Sequence, residues 1–275
     1  GRAREFYVNY KPNWHVYSRM QYVRQLRSVM DVYWPEHPLP LATRVLGPTG
    51  KRITSVESWF EHAPPEKGLK QWKDGRSAKE LARRWFCRGA GRIPWEVGSL
   101  LRSHPVTQRT FLIKGMAEHE TLLDSFPGKG RQHDLLLDGF SERGSLVIGV
   151  EAKADESFGP TIAERLVLVE GTKSNVPQRI GNLSRAIFGC DVDETIGELR
   201  YQLLHAVAGT LIEAIRRKAD GAIFVVHEFV TPKTSTARQK ANGLDLAKFI
   251  ARLKCKDVKS IDVDSGRLID CGKVT

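Results

Sequence analysis

Leu146-Val147-Ile148-Gly149-Val150-Glu151-Ala152-Lys153 is apolar at every even position, whereas its odd positions end in Glu151 and Lys153. Successive side chains of a strand point to opposite faces, so two residues two apart point the same way. A second run, His133-Asp134-Leu135-Leu136-Leu137, sets Leu135 and Leu137 on one side and Asp134 on the other. A short connection makes these two strands neighbours. One sheet face then presents Asp134, Glu151 and Lys153 together. Two carboxylates beside one ammonium suit Mg2+ or Mn2+, which prefer hard oxygen ligands, while the lysine orients or deprotonates a water. A Glu-x-Lys pair alone is common on exposed strands; its combination with the preceding Asp134 makes the signal specific.

Outward from this hairpin, hydrophobic periodicity and turn residues set the remaining elements. On the N-terminal side, Ser77-Ala78-Lys79-Glu80 has the pattern of a capping box and predicts a helix over 78–87. A helix over Trp95 to His104 follows, then extended chain over 110–123 and a turn at Pro127-Gly128-Lys129-Gly130. On the C-terminal side the pattern predicts helices over 161–170, 177–188 and 194–218 and a strand over Ala222 to Val226. A polar, basic loop from Thr231 to Gly243, a helix over 244–253 and a strand over 258–263 complete it. Strands interleaved with helices indicate an α/β domain with a mixed sheet. That domain is read as 71–275, preceded by an N-terminal extension, 1–70, in which aromatic and basic residues alternate. Within the extension a helix is predicted over 18–33, stopped by Pro35. Its aromatics are read as packing residues in preference to base-stacking ones. Gly47-Pro48-Thr49-Gly50-Lys51-Arg52 lacks the spacing of a phosphate loop and reads as a turn between short strands.

The 275 residues carry a formal charge of +11 and are 41% hydrophobic, which suits a globular domain with a polyanionic partner. No apolar run reaches the roughly 20 residues of a membrane span, and the first residues lack a secretory pattern, so a cytoplasmic location is expected. Four scattered cysteines with no CxxC pair argue against a disulfide framework or a zinc finger. Lys73, Arg76, Lys129, Arg131, Arg200 and His205 are the expected nucleic-acid contacts.

The order Glu118 or Glu120, then His133-Asp134, then Glu151-Ala152-Lys153 resembles the PD-(D/E)xK nuclease superfamily, with His133 in place of the proline. Glu151-Ala152-Lys153-Ala154-Asp155-Glu156-Ser157-Phe158-Gly159 and Arg200-Tyr201-Gln202-Leu203-Leu204-His205 resemble motifs of a bacterial subgroup of nuclease-like proteins. The resemblance covers about residues 71–253. It implies a restriction-endonuclease-like core, Mg2+ as cofactor (Mn2+ as substitute), and a nucleic-acid substrate, DNA ahead of RNA. By that resemblance Asp134, Glu151 and the Ala152 carbonyl hold the metal and Lys153 is the catalytic cation. Glu118 is the accessory carboxylate, with Glu120 its alternative, and Gln202 positions phosphate or water. A homodimer and a role in defence or restriction are expectations of the same kind. Two other readings stand beside the nuclease: a binding module of the same fold without turnover, and a protein-interaction scaffold with a basic surface.

Overall fold

Strand β6 (Gly144–Lys153) contains the stretch 146–153 and pairs antiparallel with β5 (Arg131–Ser141) from Ser141↔Gly144 to Leu135↔Val150. The computed structural model describes residues 4–11, 43–87, 91–255, 258–263 and 267–274. Gly144 has φ 123°, and a Cβ there would lie 2.2 Å from the Asp220 carboxylate, so this hairpin end requires glycine. Asp220 accepts hydrogen bonds from the Ser145 amide (2.9 Å) and hydroxyl (3.1 Å), which fastens the hairpin to the start of β7 (Gly221–Glu228).

Around this pair the sheet extends in both directions. β4 (Phe111–Thr121) runs antiparallel to β5, and β7 runs parallel to β6, a pairing that needs a crossover. β1 (Arg4–Lys11) lies parallel to β7 and antiparallel to β8 (Ile269–Val274). At the opposite edge β2 (Arg44–Leu46) joins β4 in parallel, and β3 (Arg52–Ile53) joins β2 antiparallel. The result is one mixed sheet in the order β3-β2-β4-β5-β6-β7-β1-β8.

Helices cover both faces, and the alternation in β6 separates two cores. Leu146, Ile148, Val150 and Ala152 pack with Trp59, Leu81, Trp85 and Leu100 from α1 (Val56–His62), α2 (Ser77–Phe86) and α3 (Trp95–Arg102). Val147 and Leu136 face the other way. They join Ile162, Ile180, Ile196, Leu203 and Ile250 from α4 (Ile162–Val167), α5 (Val176–Phe188), α6 (Glu194–Gly197), α7 (Tyr201–Arg216) and α8 (Thr236–Lys254). Large apolar side chains buried in this way each contribute about 1.5–3 kcal/mol. α7 lies so close to β6 that a Cβ at Gly149 would stand 2.1 Å from the Thr210 hydroxyl. No helix among the described residues is long and apolar enough to cross a membrane.

The α/β architecture and mixed sheet agree with the sequence reading, and so does the turn at Gly47-Arg52, which joins β2 to β3. Several elements differ. The capping box at Ser77 does not form: Arg76 is the N-cap without a side-chain cap, and Glu80 accepts the Gly75 amide (2.8 Å) while pairing with Arg83. The helix expected over 194–218 is two helices, because Arg200 takes an extended conformation that bridges Thr161 and lets Tyr201 donate to the Pro160 carbonyl (3.2 Å). α8 begins at Thr236, inside the expected loop, capped by Ser235, whose hydroxyl accepts the Arg238 amide (3.4 Å). The strand expected near 258–263 includes a 3-10 turn, Val258–Ser260, and the last strand is β8. Residues 1–70 supply β1 to β3 to the same sheet; the helix predicted over 18–33 lies outside the described residues.

Candidate active site

Beyond Leu135↔Val150 the β5–β6 ladder stops, and the next inward amide of β6, Ala152 N–H, donates to the Asp134 carboxylate (2.7 Å). A side-chain oxygen thus replaces a ladder carbonyl, and the two strands part. Into this opening project Glu151 and Lys153, on the face covered by α7. Both are buried, with 2% and 5% exposure, where an unpaired charge would cost several kcal/mol. They are paired fully: the Lys153 ammonium donates to Glu151 Oε1 (2.7 Å) and to Gln202 Oε1 (3.0 Å), and Gln202 Nε2 donates to Glu151 Oε1 (2.6 Å). The second carboxylate oxygen of Glu151 accepts from the Arg131 guanidinium. The Phe158 ring centroid lies 5.2 Å from the Lys153 ammonium, within cation–π range.

Glu118 completes the acidic group. It lies in β4 between the pairs Ala117↔Leu135 and His119↔His133, level with Asp134, and has φ 51°. That left-handed conformation is strained for a residue with a Cβ and breaks the alternation of the strand. Glu118 is therefore buried beside Asp134, whereas Glu120 points away and accepts the Gly130 amide (2.6 Å). Strand parity alone would set the two on one face.

The charges are unevenly held. Burial, then the negative charge of Asp134, pushes the Glu118 carboxyl far above its ordinary range. Burial and the Glu151 charge push Asp134 up. Burial acts on Glu151 in the same sense, but Lys153 and Arg131 outweigh it and hold this carboxylate ionised. His205 stacks edge-on to Tyr201 at 4.8 Å between centroids, and burial, then the Arg131 charge, lowers its pKa to about 3. Its imidazole is neutral near pH 7.

Of the expected site residues, Glu118, Arg131, Asp134, Glu151, Lys153, Gln202 and His205 form one neighbourhood. Arg200 instead has a structural role, pairing with Asp245 (2.9 Å) and donating to the Gly159 carbonyl (2.9 Å). Lys129 pairs with Glu66 at the surface (2.8 Å), Arg76 stands 3.8 Å from Glu156, and Lys73 is exposed. Two buried groups escaped the sequence reading, Glu228 on the face of Lys153 and Glu96 on the opposite face of the sheet. Glu228 ends β7 opposite Lys153 and accepts from the Asn242 amide of α8 (2.8 Å). Glu96 of α3 takes a bidentate pair from Arg84 (2.5 and 2.6 Å) and contacts His227 (3.1 Å). Their signal was there: His227-Glu228 ends an apolar run with two polar residues, and Glu96 sits in an otherwise apolar helix face.

Residues 52–274 match the family described as a domain of unknown function, DUF6946. The chain belongs to this family. No curated protein matches the chain, and no solved structure does. The DUF6946 match spans both faces of the sheet and every residue of the site above. Among the described residues no three His, Cys, Asp or Glu side chains are placed to hold a metal ion together. The donor set expected in this DUF6946 chain is of another kind, two carboxylates, Asp134 and Glu151, and one backbone carbonyl, that of Ala152.

Proposed function

We propose that the chain is a metal-dependent phosphodiesterase acting on nucleic acid, DNA ahead of RNA, on a restriction-endonuclease-like core. The observation that carries this reading is the group at the parted ends of β5 and β6, where half-buried Asp134 stands beside buried Glu151 and Lys153 under Gln202. Buried ionisable groups with displaced pKa values are characteristic of catalytic sites.

The residues fit a divalent cation. Asp134 and Glu118 are carboxyls crowded together in a site of low polarity, and a divalent charge relieves both crowding and burial. Asp134, Glu151 and the Ala152 carbonyl would hold the ion, with Glu118 behind them. A bound Mg2+ or Mn2+ supplies polarisation of a phosphate oxygen and an acidified water. The chain's own residues do the rest. Lys153 holds a water or the developing negative charge, Gln202 fixes the Lys153 ammonium, and Phe158 keeps bulk water from it. The charge of +11 favours a polyanionic substrate.

A second reading, nucleic-acid binding without turnover, is favoured by one observation, the Arg131 guanidinium on Glu151 where a metal would compete. Incubation of the full chain with plasmid, linear duplex, single-stranded DNA and RNA, with Mg2+, Mn2+ or EDTA, separates the two. The expected result is metal-dependent cleavage that Lys153→Ala abolishes. Intact substrates under every condition, with binding retained, select the second reading.

A further inference from the structure

Arg131 is the first residue of β5 and is 7% exposed. Its stem passes against α7 at Gly209, where a Cβ would lie 2.9 Å from Arg131 Cγ, so the side chain runs in a slot that only glycine leaves open. Its guanidinium pairs with Glu151, yet its buried Nε has no hydrogen-bond partner. A guanidinium is a planar fork of donors that matches phosphate as well as carboxylate. Here part of that fork is unused and buried, a desolvation cost that an incoming anion would remove.

Glu151 is constrained from the other side. Oε1 already accepts from Lys153 and Gln202, so only Oε2 has room for a cation, and the Arg131 charge stands there. Two cations at one carboxylate oxygen repel strongly at low polarity. We propose that Arg131 is a phosphate-binding latch: it blocks the Glu151 oxygen until a phosphodiester draws its guanidinium away, so that metal and nucleic acid bind cooperatively. The inference rests on the metal-dependent reading above and adds an order of assembly to it. A free divalent cation then meets a closed site, and the site opens only with substrate in place.

The test is equilibrium binding of Mn2+, followed by electron paramagnetic resonance, to the full chain alone and with a short DNA duplex checked intact afterwards, against a duplex-only blank. Mn2+ affinity rises tenfold or more with duplex present, and duplex affinity rises by the same factor with Mn2+, since coupling is reciprocal. Arg131→Met binds Mn2+ tightly without duplex and loses the coupling, and Arg131→Lys lies between. Equal Mn2+ affinity with and without duplex overturns the latch while leaving the metal site standing. No Mn2+ binding by any form, with or without duplex, overturns the metal-dependent reading and the latch with it. If Arg131→Met does not fold, Arg131→Lys decides in its place: Mn2+ affinity without duplex that exceeds the unaltered chain's supports the latch, and equal affinity overturns it.

Discussion

Asp134 serves two ends that pull against each other. Its carboxylate replaces a missing ladder acceptor for the Ala152 amide, and it carries a charge that burial and Glu151 disfavour. A carboxyl whose folded pKa is raised costs stability once pH exceeds its unfolded value near 3.8, and the cost grows until the folded pKa is passed. Asp134→Asn keeps an acceptor for Ala152 and removes the charge. It is expected to gain about 1 kcal/mol, or roughly 2 °C in Tm for a chain of this size, while losing metal-dependent cleavage. Scanning calorimetry beside the cleavage assay checks it; a lower Tm would show that the charge is well compensated. Glu96 works in the opposite sense. Burial raises its pKa, but the hydrogen bonds from His227 and Arg84 outweigh this and hold it at about 2. A depressed carboxylate gives stability that is complete above its unfolded value near 4.5 and is lost as pH falls toward 2. Glu96→Gln is expected to cost about 3 kcal/mol at pH 7, since Arg84 is left half-paired, and to flatten the fall between about pH 4.5 and 3. Urea midpoints at those pH values measure both. Asp134, Glu151 and Lys153 are legible in the sequence because strand alternation is local geometry. The Arg131–Glu151 and Glu228–Asn242 pairs join residues 20 and 14 apart, and nothing local selects those partners. Glu118 is separated from Glu120 only by a positive φ, which no parity argument contains.

At the scale of elements, the site depends on how closely α7 lies on the sheet. Gly149 of β6 faces Thr210 of α7, and Gly209 faces Arg131 and His133. Both contacts set the height from which Gln202 reaches Glu151 and Lys153. Gly149→Ala is expected to cost about 1–3 kcal/mol by overpacking, and Thr210→Ala in the same chain to recover part of it. A double-mutant cycle in urea gives the coupling; additive costs would mean that the helix moves freely. The elements that sequence patterning reads well, β5, β6 and α5, are those whose own periodicity decides them. α8 is read too short because its first turns are polar, and their helical state is fixed by the Ser235 cap and by Asn242, buried against Glu228. β8 is missed because it has no apolar run, and its place is set by pairing with β1.

For the whole molecule, the charge of +11 predicts steep salt dependence: duplex binding should weaken by at least roughly tenfold between about 50 and 200 mM salt, as a gel-shift titration would measure. A flat response would point to a protein partner. The position of β1 has a different consequence. β1 is an inner strand of the sheet, yet its parallel partner β7 lies more than 200 residues later in the chain, at Gly221 to Glu228. During synthesis the first strand therefore emerges long before the edge that it must join. Most of the chain, including Asp134, Glu151, Lys153 and Gln202, leaves the ribosome while the sheet is still open at β7. At roughly 5–20 residues per second the wait lasts on the order of ten seconds or more. Unpaired strand edges are templates for unwanted pairing, so this interval is the exposed period in the protein's life. Protease protection of stalled nascent chains is expected to appear only once β7 has cleared the exit tunnel. In a cell, the strand beside Lys153 would thus join the sheet only after Asp134, Glu151 and Gln202 have all been synthesised.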